Sequence, residues 1–80
     1  MTTIQISTTN GDLTADELKE LMQCINEINQ NYSMLRNRGN RQIAVFTLAP
    51  NITLKELEVV TDSLKPGFKL KILLKDGMHG

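Results

Sequence analysis

The sequence predicts a small α/β domain, with α+β as its variant: two helices lying mainly on one face of a three-stranded sheet, in the order β-α-β-α-β. Three observations lead there. Leu13–Arg38 carries apolar residues at helical spacing, Thr-x-x-Glu occurs at Thr14 and again at Thr53, and three short stretches alternate apolar and polar residues. Two helical crossovers between strands favour parallel neighbours and right-handed connections. A ferredoxin-like arrangement would need a fourth strand, and no further stretch reads as one.

The first strand is Thr2 to Thr8, with Ile4 and Ile6 on one face and Gln5 and Ser7 on the other. Asn10-Gly11-Asp12 is a turn signal, because Asn and Gly accept left-handed backbone. The long helix follows. Thr14 and Glu17 have the spacing of a capping box, and Leu13 with Leu18 has that of a hydrophobic staple. Asp16, Glu17 and Glu20 put negative charge near the positive end of the helix dipole. Leu18, Leu21, Ile25, Ile28, Tyr32 and Leu35 then form a stripe at steps of three and four, widened by Met22 and Cys24. Gly39 is a plausible stop, preceded by Arg36 and Arg38 in the last turn. A 3-4 repeat also describes a coiled coil, but Asn29 and Asn31 flank the stripe where charged pairs would be needed.

Gln42 to Leu48 is the second strand, with Ile43 and Val45 on one face and Ala44, Phe46 and Leu48 on the other; two apolar faces suit a central position. Pro50-Asn51 ends it. Thr53 and Glu56 begin a second helix, whose core face is Leu57, Val60, Thr61 and Leu64 and whose stop is Lys65-Pro66-Gly67. The third strand, Phe68 to Lys75, turns Phe68, Leu70, Ile72 and Leu74 to the core and Lys69, Lys71 and Lys75 outward, interrupted by Leu73. Residues 1–80 read as one domain with a frayed tail at 76–80.

The lengths do not match. A helix from Leu13 to Arg38 spans about 37 Å, and an eight-residue strand about 26 Å. Tyr32 to Arg38 would then overhang the sheet, with Met34 off the stripe and facing water. A Tyr32, Met34 and Leu35 cluster rimmed by Arg36, Arg38 and Arg41 has the composition of a protein-binding patch. The competing reading breaks the helix near Asn29–Asn31, since Asn propagates helix poorly, and folds Tyr32 and Leu35 back into the core.

Chemistry is sparse. Cys24 lies on the edge of a core stripe, and the one histidine, His79, is in the tail, so neither a thiol nucleophile with its base nor a zinc site is expected. Asp12, Asp16, Glu17 and Glu20 suit the helix dipole better than a cation site. The loop from Ser7 to Asp12 enters a helix N-terminus but lacks the glycine spacing and lysine of a phosphate loop. No metal, cofactor or enzymatic activity is expected. No run of residues is long and apolar enough for a membrane span, no signal-peptide pattern is present, and a lone cysteine fits a reducing, cytoplasmic setting.

Net charge is zero but unevenly distributed: residues 1–35 carry −4 and residues 36–80 carry +4. The function expected from these features is that of a small protein-binding adaptor or inhibitor. It would dock on another protein, or on a copy of itself as a homodimer, through the Arg-rich end of the long helix. A phage or mobile-element product would suit such a compact regulator. The alternative is a nucleic-acid-binding regulator using Arg36, Arg38, Arg41 and the lysine face Lys69, Lys71 and Lys75.

Overall fold

A computed structural model describes residues 2–9, 11–36 and 39–75, with Arg36 described through its backbone. The elements run β1 (Thr2–Thr8), α1 (Ala15–Ile28), β2 (Ser33–Arg36), β3 (Ile43–Leu48), α2 (Leu54–Ser63) and β4 (Phe68–Leu74). The sheet has four strands in the order β2-β3-β1-β4, and every neighbouring pair is antiparallel. A β-α-β-β-α-β chain in this order is the ferredoxin-like, split β-α-β arrangement.

Two expectations are therefore corrected. There are four strands, not three, and of the two readings of the long helix the break near Asn29–Asn31 holds: α1 stops at Ile28 rather than Arg38. Each helical crossover does join strands that run the same way. They are not neighbours, because β3 lies between β1 and β2, and β1 lies between β3 and β4.

The helix starts form as their residue types dictate. At α1 the Thr14 hydroxyl accepts the Glu17 N–H at 3.1 Å, and the Thr14 N–H donates to Glu17 Oε1 at 2.9 Å. At α2 Thr53 and Glu56 repeat the reciprocal pair, with both bonds at 3.1 Å. Each box satisfies amides that lack a partner inside the helix. Gly11, in the loop before α1, has φ +91°, a region that disfavours side chains with a Cβ. The end of α1 is set by asparagine. Asn29 takes extended backbone with its N–H on Ile25 O, and its Oδ1 accepts the Asn31 N–H at 2.9 Å. That side-chain turn competes with helix propagation.

The core lies on one face of the sheet. Ile4 and Ile6 of β1 and Ala44, Phe46 and Leu48 of β3 are buried under Leu18, Leu21 and Ile25 of α1 and Leu57 and Val60 of α2. Both helices thus cover the same face, and β3 is interior as its two apolar sides imply. Lys65 Nζ meets Glu20 Oε2 at 2.8 Å, joining α1 to the turn before β4. Both side chains are more than half exposed, so the pair contributes little.

Candidate functional site: the uncovered sheet face

Among the described residues, no helix lies on the second face of the sheet. Its rows follow from the register. Leu35, Val45, Gln5 and Lys71 stand in one row across β2, β3, β1 and β4. Ser33, Thr47, Thr3 and Leu74 form a second row, and Ile43, Ser7 and Lys69 a third. Four strands span about 14 Å at the usual spacing. In the rows of Leu35 and Ile43 the face is aliphatic on β2 and β3, polar on β1 and cationic on β4; in the row of Ser33 it is polar on β2, β3 and β1 and aliphatic at Leu74.

Leu35 is 71% exposed, the most open large apolar side chain among the described residues. Ile43 and Val45 beside it are half-buried. Leu73 and Leu74 are both about half exposed, because the β1–β4 register shifts between Thr3 and Ile4. A bulge inserts one residue and changes which way the following side chains point. The expectation that Leu74 faces the core is corrected on that ground; Phe68, Leu70 and Ile72 do pack against it.

The residues expected to form a patch at the end of a helix are instead divided by a strand. β2 has a period of two, so Tyr32 and Met34 point to the core side and Leu35 to the other. Tyr32 packs its ring 6.0 Å from Phe46, tilted by 51°. Met34, expected in water, is half-buried opposite Phe46. Leu35, expected on the core stripe, is open. Arg36 ends β2 opposite Ala44, and Arg41 is exposed in the β2–β3 connection. Arg38 lies outside the described residues, as do His79 and the tail at 76–80. With no overhanging helix end, the geometric basis for a patch there is gone.

Of the expected lysines, Lys69 and Lys71 do share the open face, and Lys69 stands toward the end of the sheet from which Arg41 projects. Lys75 is set apart, its Nζ donating to Pro50 O at 3.2 Å. The uneven charge becomes a division between layers. Every carboxylate among the described residues is on α1, on α2 or, for Asp12, in the loop entering α1, whereas the four strands carry none. The charge split is visible in the sequence but the face it belongs to is not, because residues 33–36 also continue the helical spacing.

Concavities lined by described residues occur elsewhere. A groove of about 340 Å³ between α2 and β4 is lined by Leu54, Leu57, Glu58, Thr61, Leu70 and Ile72. A more polar hollow of about 300 Å³ lies near Ile28, Asn29, Ile52 and Glu56, where Asn29 Nδ2 is buried without a hydrogen-bond partner. Cys24 is half-buried, and burial, with the nearby Glu27 and Glu20 carboxylates, pushes its thiol above the usual 9.0. That is the direction opposite to an activated nucleophile. Among the described residues, no group of three or more His, Cys, Asp or Glu is placed to hold a metal ion. None of their helices is long and apolar enough to cross a membrane. No protein-family model, curated protein or solved structure matches the chain.

Proposed function

We propose that this chain is a small, non-enzymatic protein-binding module, an adaptor or inhibitor, that docks through the uncovered face of its sheet. The observation that carries the reading is Leu35, held open on β2 next to Val45 on a face that no helix covers. A sheet normally buries an apolar face against another layer. Here one layer comes from the chain itself, and a partner would supply the other. Arg41, exposed in the β2–β3 connection, would border that contact instead of forming its centre. A cytoplasmic setting and a phage or mobile-element origin suit a compact regulator with one thiol, and both belong to this proposal.

Nucleic-acid binding is the weaker reading. Lys69 and Lys71 could meet phosphate, but the face between them and Leu35 holds Gln5, Ser7, Ile43 and Val45, with no ring on which a base would stack.

The test is positional photo-crosslinking in the organism that encodes the chain. A crosslinking residue at Leu35 is expected to trap a discrete protein, and one at Val59 on α2 to trap none. Val59 is 52% exposed, so access alone would not separate the two. Adducts at Val59 alone, or at neither position, would overturn the proposal, as would a nuclease-sensitive adduct at Leu35.

A further inference from the structure

We infer that the partner element seated on this face is an amphipathic helix with an acidic flank. The inference rests on the docking reading above and specifies what docks. It follows from how aliphatic and cationic positions are spaced across the sheet.

In the two rows that carry Leu35, Val45 and Ile43, the aliphatic side chains belong to β2 and β3 and the lysines, Lys69 and Lys71, to β4, which adds exposed Leu74 beyond its bulge. Between them β1 presents only Thr3, Gln5 and Ser7. From β3 to β4 is two strand spacings, about 10 Å, close to the 10–12 Å diameter of a helix with its side chains. A helix laid along the strands above β1 and β3 would put its apolar stripe on Val45 and Leu35 and one flank over β4. The spacing along the strand agrees as well. Lys69 and Lys71 are two residues apart, about 7 Å along β4, and carboxylates at i and i+4 are about 6 Å apart along a helix.

The missing charge decides which kind of helix. The strands bring Lys69 and Lys71 to this face and no carboxylate at all, so the complement must come from the partner. A second copy meeting face to face has no acid there to offer. Nor does α1 of a second copy serve: its outward positions, such as Asp16, Glu20 and Glu27, are acidic, but its aliphatic stripe of Leu18, Leu21 and Ile25 is buried in its own core. A homodimer joined face to face, or through α1 of one copy, is therefore disfavoured at this surface. A polyanion without apolar groups would leave Leu35 and Val45 uncovered.

The experiment uses the full chain and a designed peptide of about 18 residues, five helical turns. It carries Leu at i, i+3, i+4 and i+7 and Glu along one flank. The comparison ligands are its twin with Lys for Glu and a single-stranded oligodeoxynucleotide. Binding is read from amide chemical shifts. The acidic peptide should bind about tenfold tighter than its twin, as two exposed charge pairs permit, with shifts centred on Gln5, Leu35, Val45 and Lys71. The double variant Lys69→Glu with Lys71→Glu should reverse the preference. Equal binding of the two peptides, shifts confined to α1 and α2, or tighter binding of the oligonucleotide to the same amides would overturn the inference. The two levels fail separately. A protein adduct at Leu35 that survives the charge reversal undiminished would sink the acidic helix and leave docking intact. Loss of position-specific adducts would sink docking itself.

Discussion

Replacing Met34 and Leu35 by alanine, one at a time, separates a strand from a helix at this point in the chain. Helical spacing puts Leu35 on the buried stripe and Met34 in water, while β2 reverses both. Met34 is half-buried opposite the fully enclosed Phe46, and Leu35 is 71% exposed. Truncating a wholly buried Met to Ala costs about 2–5 kcal/mol, so a half-buried one should cost about 1–2 kcal/mol. Leu35→Ala loses little burial and should change stability by about 0.5 kcal/mol or less. In a domain of this size 1 kcal/mol moves the melting temperature by about 4–8 °C. Urea titration followed by circular dichroism reads the difference as a midpoint shift at constant slope. Met34→Ala should lower the midpoint clearly, and Leu35→Ala should leave it nearly in place. The opposite order would refute the strand and restore the long helix.

Other consequences are simpler to check. Thr14→Ala and Thr53→Ala each remove one half of a capping box and should each cost about 1 kcal/mol in the same titration. Gly11→Ala introduces a Cβ at φ +91° and should cost about 1 kcal/mol, although nothing lies within 4 Å of the new atom. Cys24 should alkylate more slowly than a free thiol at pH 8, because its thiolate is disfavoured by burial and by Glu27 and Glu20; denaturant should remove the difference. Lys65 is held above its usual 10.5 by its hydrogen bond to Glu20 and by that carboxylate's charge. Its small stabilising effect is therefore fully present below pH 10.5 and is lost as pH rises through the raised value, so Glu20→Gln should leave stability near neutral pH almost unchanged.

Much of the fold was legible because local chemistry and global packing agree. The two Thr-x-x-Glu boxes announced both helix starts, and both formed. β1 alternates cleanly enough to show which side meets the core, and the two apolar faces of β3 mark it as interior. The failure at Tyr32–Arg36 has a definite cause. Tyr32 and Leu35 are three apart and continue a helical stripe, whereas Tyr32 and Met34 are two apart and make a strand; five residues satisfy both periods. What decided it was not local. Phe46 needs a neighbour on its β2 side, and Tyr32 and Met34 supply one only in extended backbone. The Asn29 side-chain turn releases the chain from the helix in time. The two helices on one face already imply an open one, but without β2 Leu35 falls in an overhanging helix end or in the core, and the lysines of β4 have no aliphatic neighbour across the sheet. The shift that exposes Leu74 was equally hidden, since a bulge depends on pairing with β1 and leaves no mark in the alternation of β4 itself.

Docking through the open face requires a four-stranded sheet covered by helices on one side and bare of them on the other. Nuclear Overhauser contacts in the free protein test both parts at once. Leu35 should show cross-strand contacts to Val45, and the side chains of Thr3, Gln5 and Val45 should show none to α1 or α2. Helical contacts between residues three apart running through 29–36, or any contact placing a helix over Val45, would contradict it.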